Sequence, residues 1–298
     1  MSLLSQVKRG KVKPPVLLLV QGPAGVGKST LASGAPDPIF MGAENGTLFL
    51  DVARFPAPKK FDDILTGIQE LTTEKHDYKS LVIDSLDWVE PLVWAKVCEE
   101  EHVESIEKIG FQKGYIFALK YWQEMISTLS RLREVRGMHV ILIAHSQIKK
   151  FDDPKTNSAY DRYVMKLHEK ASALWREYVD TMGFATFEVH TAKDKSGKER
   201  AYGEGKRVLH TEYRPAWDAK NRMGLPPEID LSWDAFMESY DKGCPENPEI
   251  MKANIDQMLP LAPEEVRPKV KDALVRAGND PAKLAVIQNR LRTLTSAA

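Results

Sequence analysis

Residues 22–30 read GPAGVGKST, and they are the part of the chain whose chemistry is easiest to read. Gly22, Pro23, Ala24, Gly25, Val26, Gly27, Lys28, Ser29 and Thr30 fit the P-loop pattern, in which two glycines bracket a short run that ends in Lys and a hydroxyl residue. The glycines let backbone N–H groups come close to phosphate. Lys28 brings a positive charge to the β- and γ-phosphates, and the Ser29 hydroxyl can ligate Mg2+. Thr30 helps to start the following helix. The ligands implied are ATP and Mg2+.

Other residues can complete such a site. SLVIDS ends an apolar run on Asp84, where a carboxylate can hold magnesium directly or through water, although a strand-end Asp also caps helices. Asp87 reads as a cap for the segment beginning at Trp88. Hydrolysis needs a group that orients or deprotonates water, and Glu44 in IFMGAENG is the candidate; a solvated loop glutamate is the other reading. VILIAHSQ ends on His145, Ser146 and Gln147. His145 there can register the γ-phosphate or can simply be a hydrogen-bonded strand-end histidine.

Short apolar runs must carry these groups. Val16–Val20, Ile39–Met41, Leu81–Ile83 and Val140–Ile143 predict four strands of a parallel core buried on both faces. Phe117, Tyr121, Met125, Leu129 and Leu132 recur at three- and four-residue steps, which predicts an amphipathic crossover helix that stops at Gly137. From Gly183, FATFEVHTA, KDKSGKE and KRVLHTEY predict an antiparallel extension with a hairpin. APEEVRPKVKDALVRAG and DPAKLAVIQNRLRTL predict a small helical tail, which divides the chain into a core at 1–243 and a tail at 244–298.

Composition narrows the class. Lys plus Arg (42) equal Asp plus Glu (42), so any nucleic-acid contact must come from a local patch rather than from bulk charge. No apolar run approaches the ~20 residues that span a bilayer, and the basic N-terminus leads into the first strand rather than into a secretion signal. Cys98 and Cys244 lack metal-ligand spacing and suit a reducing cytoplasm.

Taken in order, GPAGVGKST, the glutamate after strand two, SLVIDS and VILIAHSQ resemble the RecA-like ATPases, most closely the phage-encoded type that acts in single-strand annealing or recombination. The resemblance covers roughly residues 14 to 240, and AKNRMGLPPEIDLSWDAF looks like the end of that ATPase domain. It implies an α/β fold: a RecA-like P-loop core with a mostly parallel sheet, an antiparallel extension and the helical tail. It also implies Glu44 as the residue that activates water, although the second acidic residue that often precedes that glutamate is replaced here by GAENG. Lys220 and Arg222 match the basic residues that reach a neighbouring subunit's ATP, or form a solvated basic turn. Single-stranded DNA, a single-strand-binding protein, a homo-oligomer and a cytoplasmic location, in a bacterial host if phage-encoded, follow from the same resemblance.

In such proteins the loop after the fourth strand binds DNA. Residues 148–170 carry six Lys/Arg against four Asp/Glu, including Lys149 and Lys150. Arg162, Lys166 and Lys170 fall four apart, which predicts one basic helical face, with Tyr160 and Tyr163 available to stack bases; a solvated charged face is the alternative. Residues 193–222 are more basic, nine against five. Two rival functions use the same P-loop. A small-molecule kinase predicts an arginine-rich lid, which the sequence lacks, and a nucleotide switch predicts binding without turnover.

Overall fold

The run LLLVQG forms β1 (Leu17–Gly22), buried at all six positions because helices cover both faces of a parallel sheet. In the computed structural model, residues 13–42, 45–154, 158–188, 190–193, 199–202, 205–244 and 247–295 are described. After the glycine loop come α1 (Lys28–Ser33), β2 (Pro38–Met41), β3 (Ala53–Arg54), α2 (Phe61–Thr73), β4 (Ser80–Asp84), α3 (Leu86–Glu100) and α4 (Lys113–Arg136). The chain continues through β5 (His139–Phe151), β6 (Tyr160–Met165), α5 (Glu169–Tyr178), β7 (Thr181–Phe187), β8 (His190–Lys193), β9 (Glu199–Tyr202), β10 (Arg207–His210), β11 (Lys220–Asn221) and β12 (Glu228–Asp230). It closes with α6 (Trp233–Gly243), α7 (Pro248–Met258), α8 (Arg267–Ala277) and α9 (Pro281–Thr295).

The main sheet runs β12-β10-β7-β1-β5-β4-β2-β3, with β11 added to β7 and β6 to β5; β8 and β9 pair separately. From β7 to β3 the strands are parallel, while β10, β11 and β12 pair antiparallel beyond β7. The P-loop strand β1 therefore lies beside β5, and β5 separates it from the strand that ends at Asp84. This is the mixed, mostly parallel α/β core expected from the sequence.

Packing explains why the crossover helix holds. Tyr121, Trp122, Met125, Leu129 and Leu132 of α4 are buried against the sheet with α2 residues Phe61, Ile64 and Ile68. Trp122 meets Trp175 of α5 edge-on at 5.5 Å. Each such fully buried apolar side chain contributes about 1.5–3 kcal/mol. Phe117, expected on that stripe, is 39% exposed, and Ala118 takes the inward position. Gly137, at φ 66°, ends α4 in the left-handed conformation that glycine favours.

FATF ends β7 and pairs antiparallel with β10, and β8 and β9 form an antiparallel hairpin, as expected; Thr181–Phe184 of the same strand also pair parallel with β1. Two expectations are corrected. β5 runs beyond Ile143 to Phe151, and its last six residues pair antiparallel with β6. The segment expected to be helical from Arg162 is therefore a strand through Met165, and helix begins only at Glu169. Ladder pairing with the outer half of β5 makes this segment a strand, and the four-residue spacing of its basic residues has no helical meaning.

By contact the chain divides into two compact units, Pro15–Ser239 and a second unit running from Tyr240 with residues 13 and 14. In the second, Met251, Ile255, Leu259, Val270, Leu284 and Leu291 form its own core. Tyr240 Oη donates to the Pro14 carbonyl at 2.7 Å, and Lys13 pairs with Asp241 at 2.8 Å. No helix among the described residues is long and apolar enough to cross a membrane.

Candidate functional site

The glycine loop starts where β1 can tolerate no side chain, because a Cβ on Gly22 would overlap the Ala185 carbonyl oxygen of β7. Gly25 (φ 75°) and Gly27 (φ 106°) adopt left-handed backbone, which turns the chain so that loop N–H groups can converge on an anion. Val26 is buried and anchors the loop between them, while Ala24, Gly25 and Thr30 are exposed and Pro23 is half-buried. Lys28, 5% exposed, donates from Nζ to the Gly22 carbonyl at 3.0 Å and to the Pro23 carbonyl at 2.9 Å. Its ammonium thus folds over the loop it follows.

Ser29 Oγ donates to Asp84 Oδ2 at 2.6 Å. This hydroxyl and carboxylate come from opposite sides of β5, brought together at the edge where the parallel strands end. Asp84 is buried, and its backbone carbonyl abuts Gly42 so tightly that any Cβ there would overlap it. Glu44, the candidate for activating water, lies outside the described residues.

His145 is the register partner of Gly22, so it stands beside the first residue of the loop. Asp87, expected to cap a helix, instead reaches across to it. One carboxylate oxygen accepts the His145 backbone N–H at 2.9 Å, and the other meets ring Nδ1 at 2.9 Å. Burial pushes the Asp87 carboxyl up, but the hydrogen bonds and charge around it, chiefly from His145, together hold the group below the usual carboxylate range. One helical turn along α3, buried Glu90 accepts the His168 backbone N–H on both oxygens, at 2.9 and 3.1 Å. Burial raises the Glu90 carboxyl to about 7, against the opposing bond from His168. Asp87 and Glu90 therefore hold residues 145 and 168, the two roots of the β5–β6 arm. The sequence reading missed Glu90, whose partner is 78 positions away.

The arm itself differs from the basic helix expected. Lys149, Lys150 and Lys166 are exposed, and Lys170 is half-buried in the first turn of α5. Arg162 is 6% exposed, with its guanidinium 4.8 Å from the Phe151 ring and 4.6 Å from the Tyr213 ring. It pairs with Asp218 at 3.4 Å and does not face solvent with the lysines. Tyr160 and Tyr163 are half-buried; Tyr163 packs on Phe184 at 5.0 Å.

Lys220 and Arg222 lie at the other edge of the sheet. Lys220 pairs with Met182, and the next residue pairs with Thr181, itself the register partner of Leu18 near the start of β1. Lys220 Nζ donates to the carbonyls of Arg176 at 2.7 Å and Glu177 at 2.8 Å, and burial first, then the Arg222 charge, lowers its pKa. Arg222 is exposed and sits 4.0 Å from Asp180. Neither joins the glycine loop of its own chain.

With this geometry in hand, a family model described as an AAA domain (AAA_24) matches residues 15–223, well over half of the chain. The chain belongs to that AAA domain family. The solved RadB recombinase is similar at 15% identity and TM-score 0.39, over 75% of this chain and 90% of that one. The flagellar accessory protein FlaH from Methanocaldococcus jannaschii is similar at 12% identity and TM-score 0.36, over 73% and 85%. No curated protein matches.

The AAA domain carries its glycine loop on a mostly parallel α/β sheet, and that loop suits a nucleotide. The left-handed glycines shape a cradle, Lys28 supplies the cation, and Ser29 and Asp84 present the oxygen ligands that Mg2+ prefers. Asp87 and Glu90 extend this AAA domain's site toward the arm.

Proposed function

We propose that this AAA domain hydrolyses ATP with Mg2+ and uses the nucleotide to set its hold on single-stranded DNA. It would act in strand annealing or recombination, as a RecA-like ATPase of the kind phages encode. The observation that carries the reading is the 2.6 Å bond from Ser29 to Asp84 beside the folded Lys28. A hydroxyl and a buried carboxylate at that distance are a ready pair of hard oxygen ligands, and a bound Mg2+ would neutralise charge on the phosphates. Lys28 would exchange two loop carbonyls for phosphate oxygens, which are stronger acceptors. Glu44 is assigned the task of orienting water and His145 that of registering the γ-phosphate.

The route from nucleotide to DNA runs through α3. This helix begins two residues after Asp84 and carries Asp87 and Glu90, whose carboxylates hold the arm at His145 and His168. A change at Asp84 is thereby felt at both roots of a strand pair that exposes Lys149 and Lys150, the cations suited to a phosphate backbone. Lys220 and Arg222, at the other edge of the sheet, are assigned to the nucleotide of a neighbouring copy, so that turnover requires a homo-oligomer. A cytoplasmic location and a single-strand-binding protein as partner complete the proposal.

The test is the affinity for a fluorescent oligonucleotide with and without a non-hydrolysable ATP analogue, in the parent chain and in Asp87→Ala. Affinity that shifts with nucleotide in the parent and not in the variant supports the reading. Equal affinities in the parent refute the coupling.

A further inference from the structure

A second cation stands at the glycine loop, and the P-loop pattern does not include it. Arg207 opens β10, whose register sets it opposite Phe187 at the edge of the sheet where β1 ends in the loop. A Cβ built on Gly27 would lie 2.9 Å from Arg207 Nη1 and 3.6 Å from its Cδ. The guanidinium therefore rests against the residue immediately before Lys28. Its carbon lies 5.6 Å from the Phe187 ring centre, and the Arg207 carbonyl accepts the Leu231 N–H at 3.1 Å, so both ring and backbone hold it there.

Its neighbour gives the contrast. Lys206 is met by Glu188 at 3.4 Å and Asp230 at 3.5 Å, whereas among the described residues Arg207 has no carboxylate within ion-pair distance. Lys28 and Arg207 thus stand at one glycine turn, the first on the loop carbonyls of Gly22 and Pro23 and the second against Gly27. A guanidinium offers planar, forked donors that match phosphate oxygens, and a stacked one loses little freedom on binding.

We propose that Arg207 is a ligand for the phosphates of the nucleotide bound in its own chain, acting with Lys28 across Gly27. The inference rests on the nucleotide reading above and deepens it. Gly27 is then doubly constrained, by its left-handed backbone and by the guanidinium packed where a side chain would stand. The bland alternative is a solvated arginine at a sheet edge, and it predicts no change in nucleotide affinity.

The experiment titrates fluorescent analogues of ATP and AMP into the full chain with Mg2+ at fixed ionic strength. The parent is compared with Arg207→Ala, Arg207→Lys and Lys28→Ala, and circular dichroism confirms that each variant is folded. Loss of a charged hydrogen bond predicts ATP-analogue binding weaker by about 10-fold or more in Arg207→Ala, with a smaller loss for AMP and partial recovery in Arg207→Lys. Affinity for a single-stranded oligonucleotide without nucleotide should not change. Equal or tighter ATP-analogue binding in Arg207→Ala, with binding lost in Lys28→Ala, overturns the role of Arg207 and leaves the nucleotide reading standing. Weakened DNA binding with unchanged nucleotide binding overturns it in favour of a DNA phosphate contact. A parent chain that binds neither analogue overturns both.

Discussion

Glu90→Gln should change how the stability of this AAA domain depends on pH. Glu90 is 6% exposed on α3, and burial raises its carboxyl from 4.5 to about 7; the nearby Asp87 charge raises it too, while Lys149 and the His168 N–H oppose the rise. The folded state therefore holds the proton more tightly than the unfolded chain. Its stabilising effect is fully present below pH ~4.5 and is lost as pH rises through about 7. A shift of that size corresponds to about 3 kcal/mol in full, of which about 2 to 3 kcal/mol falls between pH 5 and 8. Glutamine keeps a carbonyl acceptor for His168 but cannot ionise. Urea titrations of parent and variant at several pH values, followed by tryptophan fluorescence, read the effect in the right place, because all six tryptophans lie within Pro15–Ser239. The depressed His168 works the other way in acid but is common to both proteins and cancels in the difference. The variant should gain about 2 to 3 kcal/mol on the parent between pH 5 and pH 8. Parallel pH profiles would refute the reasoning.

Other perturbations separate packing from binding. Gly42→Ala places a methyl on the Asp84 carbonyl, so it should destabilise the domain by about 2 kcal/mol or more and weaken Mg2+-dependent nucleotide binding; an unchanged urea midpoint would contradict this. Arg162→Lys should lower the melting temperature, since lysine cannot stack between Phe151 and Tyr213 while reaching Asp218. Lys149→Ala and Lys150→Ala should leave melting unchanged, while each reduces the salt slope of oligonucleotide binding by about 1. Equal melting of Arg162→Lys and parent would show that the stacked guanidinium does little for the fold.

Local signals carried the sequence reading wherever the fold is local. The P-loop run, the buried LLLVQG before it and the strand ending at Asp84 are read within a few residues, because full burial demands continuous apolar runs and tight backbone demands glycine. The arm escaped because its two strands, without polar and apolar alternation, hold each other by ladder pairing, and a four-residue spacing of basic residues mimicked a helix. The antiparallel pairing of FATF was legible, but the parallel pairing of Thr181–Phe184 with β1 escaped because it spans more than 160 positions. Asp87 looked like a helix cap, as first-turn aspartates commonly are. Its bond to His145 exists only once α3 and β5 are packed, and the same holds for Glu90 and His168. Lys220 kept its basic character but sits on helix-end carbonyls away from the loop.

The most direct measurement is the rate of ATP hydrolysis by the purified chain with and without single-stranded DNA, with Lys28→Ala as the blank. The account predicts Mg2+-dependent turnover that rises when DNA is added and vanishes in the variant. Turnover indifferent to DNA, or retained without Lys28, would contradict it.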